Sequence, residues 1–448
     1  NDASGRDEWC SERDRPSGHK QSLTGIRLSL RMQIGLHMGN DPDEDGPVDR
    51  LQDAVEIDFE RFESRVREEG EVIKDHLEAG TFDNEQVTVG FEYEFYAVDR
   101  ETHRIRRVPR ALLGYLGFEK ELGLHNAELS TGVYPFNDPG IEALSRDIES
   151  KLSALQQQAA AESVRLVSDG IWTIGPEYNT TEGYLTEATH EEGLTLAINV
   201  SNAVRYHGFA SSRRKTQCHA ELAGATIDAD SPEPVSLTTS IQPHYQCRSA
   251  GALPEQFRAA LRLAGPLLAL GVNSPFLPPE LYDDTEPDRD VLFEEGYDEK
   301  RVPLYEGMMN PVDGPPKVRF PADIDTPGAA VDRVVEDRTI VPAEIDAGQR
   351  FDDEFVHFRH KHGSYWRWVR PVFDGATTTS ANVRIEFRPL PGQPTVPDAV
   401  AFIAAFAGLV TSFHEQDHPA LELAWRRGAR RTVSFTNSRL REVRTSAP

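Results

Sequence analysis

The chain has 448 residues, 38% of them hydrophobic, and a formal net charge of −26. That is enough to fill a sizeable core, as one large domain or two smaller ones. The acidic balance excludes a nucleic-acid binder, which needs a basic face.

Cys10, Cys218 and Cys247 are the three cysteines, and no CxxC spacing joins them. They exclude a disulfide framework or zinc ribbon and point to a reducing, cytoplasmic location. No apolar run reaches the roughly 18 residues of a membrane helix. The longest candidate, Ala399 to Val410, is too short, and no signal-peptide pattern opens the chain, so no membrane partner is expected.

Residues 1–45 are polar and aperiodic, and are expected to form a disordered or non-native N-terminal extension, with Met32 or Met38 as the natural start. Residues 46–80 form a helical segment, with Leu51, Val55, Phe59, Phe62, Val66, Ile73 and Leu77 at helical spacing. A catalytic domain over 81–428 follows. Val87 to Asp99 opens it with strict alternation, which predicts a strand. Its apolar face carries Val89, Phe91, Tyr93 and Phe95; Gly90, Glu92, Glu94 and Tyr96 face the other way. Glu92 and Glu94 stand about 7 Å apart along the strand. Two such carboxylates are either a solvated face or a pair holding Mg²⁺ or Mn²⁺.

Arg104 to Val108 reads as a hairpin partner, Asn126 to Val133 as a strand bearing Glu128, and Asn137 onward as a helix reaching about Leu166. Leu166 to Thr173 is a further strand, and residues 175–233 are a long irregular stretch with the basic triplet Arg213-Arg214-Lys215. Leu237 to Gln246 is a strand whose Pro243 predicts an edge or a bulge. A helix follows Pro254, and residues 277–350, rich in Pro, Asp and Gly, read as an insertion. Ala381 to Leu390 alternates again as a strand, and Asp398 to Glu415 is an apolar helix. Residues 429–448 form an atypical C-terminal tail. The alternating strands predict an α+β fold, an antiparallel sheet with one ligand-bearing face and helices on the other.

Together these strands offer Glu92, Glu94, Glu128, Gln242, His244, Arg384, Glu386 and Arg388 on one face. Carboxylates that hold metal, beside arginines that hold phosphate or carboxylate, are what phosphoryl transfer needs.

GFEYEF, NAEL, TTSIQPHY, VNSPF and RIEFRPLPGQPTVPDAV, in that order, resemble the glutamate–cysteine ligase family, in the branch with the carboxylate–amine ligases and plant-type enzymes. The resemblance implies a glutamine-synthetase-like fold, a curved antiparallel sheet forming a funnel backed by helices. It implies ATP and Mg²⁺ (or Mn²⁺) as cofactors. The substrates would be small molecules, glutamate and an amine such as cysteine, joined through a γ-glutamyl phosphate. Glu92, Glu94, Glu128 and Glu386 are then the metal ligands, Gln242 and Arg384 the cofactor-binding residues, and Arg388 and Arg370 the substrate-binding catalytic residues. His244 is as readily a plain strand histidine, and Trp366 and Trp368 read as core packing. Gln242-Pro243-His244, the 277–350 region and the tail depart from the family's pattern. Alternatives are a different amine acceptor, or a degenerate member that binds nucleotide without turnover; a homo-oligomer is left open. The acidic, lysine-poor surface, with 8 lysines against 40 arginines, resembles that of halophilic archaeal proteins.

Overall fold

A computed structural model describes residues 57–423, apart from 110–111, 115–117, 192, 202, 212–217, 285–288, 293–297 and 313. The expected extension 1–45 with Met32 and Met38, the start of the N-terminal helical segment, the Arg213-Arg214-Lys215 triplet and the tail 429–448 lie outside the described residues.

Helix α1 (Phe59–Glu78) begins where Asp58 can cap it, its carboxylate accepting from the N–H groups of Glu60 and Arg61 at 2.9 and 3.2 Å. Phe62, Val66 and Ile73 form its buried stripe, as their spacing predicts. Strand β1 (Thr88–Asp99) is the centre of the molecule. On one side it pairs with β10 (Ile241–Gln246) and, further along, β5 (Val164–Val167), and on the other with β3 (Asn126–Ser130) and β4 (Tyr134–Pro135). With β2 (Phe118–Lys120), β11 (Val369–Asp374) and β12 (Asn382–Phe387), these make one eight-stranded, antiparallel, curled sheet. Its main path runs β11-β12-β10-β1-β3-β2.

The α+β class and the antiparallel, helix-backed sheet follow the sequence expectation. Helix α5 (Leu253–Gly271) packs on β12, and α9 (Val396–Glu415) on β10 and α5. They cover the apolar face that Val89, Phe91, Tyr93 and Phe95 present, all of them buried. Hydrophobic burial at about 25 cal/mol per Å² makes this the main source of cohesion.

Several boundaries differ from the sequence reading. Helix α2 (Asp138–Ala161) stops short of Leu166, because β5 begins at Val164 and pairs with β1. Arg104 to Val108 forms only isolated bridges, from Ile105 to Val98 and to Pro176. The stretch 175–233 holds short elements: α3 (Thr181–Thr186), the hairpin β6 (Ala188–Glu191) and β7 (Leu194–Ala197), α4 (Val204–Ser211), and the hairpin β8 (His219–Leu222) and β9 (Ala225–Asp228). Residues 277–350 contain α6 (Arg301–Met309) and α7 (Pro327–Val335), ahead of α8 (Val356–Gly363).

Pro243 is in an interior strand, not at an edge. It lies opposite Phe91, and the registered pairs between β10 and β12 stop at His244, so its missing N–H falls where that ladder has ended. Helix α9 also departs from expectation, since its 20 residues are apolar and long enough to cross a membrane by length and composition alone. No charged residue interrupts it between Asp398 and His414, so the helix outruns the Ala399 to Val410 stretch. Ala399, Ile403, Phe406, Ala407 and Val410 are buried against the rest of the core.

Candidate active site

Antiparallel register decides which polar side chains meet. Glu92 stands opposite Gln242 on β10 and Ser130 on β3, and Glu94 opposite Glu128. One step along, His244 pairs with Glu386, and Glu386 with Arg370 on β11. Side chains of like parity share a face, so the carboxylates, the imidazole and the arginines project together. That face is not wet in the ordinary sense, since Glu92, Glu94, Glu128, Gln242, His244 and Glu386 are all buried.

Glu92, Glu94, Glu128 and Gln242 line a cavity that encloses about 1020 Å³, counting the space open to solvent. Glu92, Glu94, Glu121 and Glu128 stand in its wall. The same wall carries guanidinium groups, among them Arg370 and Arg388 from the sheet, Arg205 from α4 and Arg301 from α6.

Glu92 Oε1 lies 3.4 Å from His244 Nε2. One ligand atom each from Glu92, His244 and Glu386 fall within 4.8 Å of one another. The burial of Glu92, with Glu386 nearby, pushes its carboxyl up to about 8. Burial pushes His244 down to about 3, so its imidazole is neutral. For Glu386, burial would raise the pKa, but Arg370 and Arg388 outweigh it and hold the carboxyl well below the usual range. Arg370 Nε donates to Glu386 Oε2 at 2.9 Å, and Arg388 Nη1 donates both to Glu386 Oε1 and, at 2.5 Å, to Gln242 Oε1.

Glu94 is turned away from this triad. It accepts from the Ser240 N–H at 2.6 Å, Ser240 Oγ at 2.8 Å and Gln242 Nε2 at 2.6 Å. Burial, with Glu121 close by, still raises its carboxyl to about 7, against the Ser240 donors. Glu128 is raised well above the ordinary value by burial and then by Glu92, Glu121, Glu94 and Glu119. Ser130 Oγ donates to it at 3.3 Å.

Of the residues singled out in the sequence, Glu92, Glu94, Glu128, Gln242, Arg370 and Arg388 line one cavity, and Glu386 accepts from two of them without lining it. Arg384 is not brought there. It shares a strand face with Glu386, but its Nη2 donates to Asp374 at 3.0 Å and its Nη1 to Asn382 at 3.1 Å, at the far end of the β11–β12 hairpin. His244 completes a triad that its sequence context left undecided. Trp366 stacks on Phe209 at 4.3 Å, and Trp368 packs against Tyr305 and Phe320, yet both also line the cavity. Arg205, Arg301 and Tyr305 were not anticipated; they come from stretches without a clear hydrophobic period.

A cation fits this donor set. His244 Nε2 is buried without a hydrogen-bond partner, and Glu92 faces it, leaving a lone pair and a carboxylate aimed at one point. Mixed oxygen and imidazole ligation suits Mn²⁺ and is tolerated by Mg²⁺.

The family model described as glutamate-cysteine ligase family 2 matches residues 88–444. No curated protein matches the sequence. Among solved structures, the chain is similar to a bifunctional glutathione synthetase from Pasteurella multocida, at 13% identity and TM-score 0.42, over 81% of this chain and 42% of that one. It is similar to a glutamate–cysteine ligase from Francisella tularensis in complex with AMP, at 10% identity and TM-score 0.33, over 82% of this chain and 86% of that one. A glutamine synthase homolog is similar at 11% identity and TM-score 0.27, over 86% of this chain and 72% of that one. The chain spans less than half the length of the Pasteurella protein.

Proposed function

The chain belongs to glutamate-cysteine ligase family 2, and on that premise we propose that it is an ATP-dependent carboxylate–amine ligase. Its reaction joins the γ-carboxylate of glutamate to the amine of cysteine through a γ-glutamyl phosphate. The observation that supports this reading most is a cavity whose wall carries carboxylates and guanidinium groups together, with a neutral imidazole beside Glu92.

A carboxylate is a poor acyl donor until its oxygen is phosphorylated. Transfer of the γ-phosphoryl group of ATP to that oxygen releases ADP, and the amine then displaces phosphate and loses a proton as the amide forms. Charge builds on phosphate and carboxylate oxygens throughout, so fixed donors and cations supply most of the catalysis. Glu92, His244 and Glu386 would hold Mg²⁺ or Mn²⁺, which supplies positive charge against the phosphates. Arg388 is anchored by Gln242 and Glu386, and Arg370 by Glu386 and by the carbonyls of His362 and Tyr365 at 3.1 and 3.3 Å. Both guanidinium planes are therefore preorganised to orient the reacting carboxylate and the transferred phosphoryl group. Glu94, held by three donors, fixes Gln242 and through it Arg388.

The test is ADP release with glutamate and Mg²⁺ in molar KCl, with and without cysteine. Turnover that needs cysteine supports the reading. Turnover only with another amine transfers it to a different acceptor, and nucleotide binding without ADP release sinks it.

A further inference from the structure

Helix α1 lies ahead of residue 88, where the family match begins, and packs on α7 and α8. Phe62 meets the rings of His357 and His360 edge-on, with centroids 5.9 and 5.7 Å away. Gly70 lets α7 come close, since a Cβ there would meet Val335 Cγ2 at 2.8 Å.

Two carboxylates of α1 add polar contacts. Glu63 accepts from Thr339 Oγ1 at 2.6 Å and from the buried Lys361 Nζ at 2.7 Å. Glu69 Oε2 accepts the Phe358 N–H at 2.7 Å, and its Oε1 lies 2.6 Å from His357 Nδ1. Phe358 is the third residue of α8, and Phe355 at the N-cap makes no side-chain cap bond. Glu69 therefore caps α8 from another helix. It satisfies an N–H that has no partner within α8 and sets negative charge at the positive end of the helix dipole.

The other end of α8 grips the cavity. The carbonyls of His362 and Tyr365 accept from Arg370 Nη1 at 3.1 and 3.3 Å, and His362 Nε2 donates to the Pro371 carbonyl at 2.8 Å. Only the 8 residues of α8, about 12 Å of helix, separate cap from grip. Arg367, also in the cavity wall, donates through Nη2 to Asp337 at 2.8 Å, just beyond the end of α7. A displacement of α1 would thus reach Arg370 through α8 and Arg367 through α7, because packed elements transmit strain.

We infer that α1 is a strap that sets the orientation of Arg370 in the cavity, with Glu69 as a positioning residue acting through α8. The turnover arm of its test rests on the ligase reading; the exchange arm does not.

Wild type, Glu69→Ala, Glu69→Gln and Gly70→Val are compared well below the wild-type Tm. Arg61→Ala, which removes an exposed ion pair of α1, is the control and should change nothing. Backbone hydrogen exchange is followed by mass spectrometry, and ADP release is measured with glutamate, cysteine and Mg²⁺. Glu69→Ala should speed exchange about 10-fold or more over residues 356–371 and leave β1 and β10 unchanged. Its kcat/KM should fall about 10- to 100-fold. Glu69→Gln, whose amide oxygen can still accept the Phe358 N–H, should recover most of both losses. Gly70→Val keeps the carboxylate but pushes α1 off α7, and should reproduce them. Glu69→Ala combined with Arg370→Met should turn over no more slowly than Arg370→Met alone, because both changes act through one group. Losses that multiply, or faster exchange with unchanged kcat/KM, overturn the inference and leave α1 as a stabilising brace. If wild type releases no ADP, the ligase reading falls and exchange alone decides this one. Faster exchange over 356–371 in Glu69→Ala then supports it, and unchanged exchange overturns it.

Discussion

His244 Nε2 points at Glu92 Oε1 across 3.4 Å, on neighbouring strands, and makes no hydrogen bond. A buried nitrogen in that state costs on the order of 1–3 kcal/mol, which a cation between the two residues would recover. Mn²⁺ should therefore raise the Tm of the wild-type protein. Glu92→Gln and His244→Asn should each abolish that increase and lower turnover by about 10²-fold or more, while far-UV circular dichroism stays native. A Tm increase that survives in both variants would remove this triad as the cation site.

Arg388 links Gln242, which Glu94 holds, to Glu386. Replacing it with Met leaves Glu386 with Arg370 as its remaining ion-pair partner. Breaking a buried pair costs about 3–5 kcal/mol, so Arg388→Met should show a clearly lower urea midpoint. Turnover should fall by about 10²–10³-fold. Arg388→Lys keeps the charge but not the planar fork, and should recover stability more than activity. Equal recovery of both would show that charge alone is what the site needs.

The parts legible in the sequence are those governed by a local rule. Period-two alternation marks Glu92, Gln242, Glu386 and Arg388 as one-face residues, because side-chain direction along a strand is a local property. Register is not local. Nothing in TTSIQPHY says that His244 will pair with Glu386, or that Ser240 and Gln242 will draw Glu94 away from the triad. Arg384 shows the same limit from the other side. Alternation puts it on the correct face, but the cavity ends before it and Asp374 binds it. The arginine-bearing wall of α6 lay hidden for a different reason, since its 9 residues sit in a Pro- and Asp-rich stretch too short to show a period.

Two glycines in the motif-bearing strands and turns have opposite packing. Gly90 lies on the Glu92 face of β1, and a Cβ there would meet nothing closer than His244 Cβ at 3.8 Å and the Gly132 carbonyl at 3.9 Å. A Cβ at Gly392 would meet Thr239 Oγ1 at 2.5 Å, Ser168 Oγ at 2.6 Å and the Asp169 carbonyl at 2.9 Å. Gly90→Ala should thus leave Tm within about 2 °C, since an unstrained change away from tight packing costs within ~0.5 kcal/mol. Gly392→Ala should cost about 1–3 kcal/mol through overpacking. Thermal unfolding of both variants checks the contrast, and a larger loss for Gly90→Ala would contradict it.

Glu233 is fully buried outside the cavity lining, with Asn199 beside its carboxylate. Burial raises its carboxyl to about 8, against the lowering influence of nearby Asn199. The unfolded chain gives it an ordinary pKa near 4.5. The folded state therefore binds this proton more tightly, so its contribution is fully present below pH 4.5 and is lost as pH rises through about 8. His125 and His360, each pushed down to about 4 by burial, act in the opposite sense below their unfolded value of 6.5, where the unfolded chain takes up protons that the fold refuses. Between pH 6.5 and 8.5 the histidine effect is past, while Glu92 and Glu94, raised to about 8 and about 7, act in the same sense as Glu233, so its share is read as the difference between variant and wild type. Glu233→Gln should flatten the decline of Tm over that window and be the more stable protein at pH 8.5, by on the order of 2–3 kcal/mol. Parallel Tm curves for variant and wild type from pH 6.5 to 8.5 would mean that Glu233 is ionised throughout and finds its counter-charge in the fold.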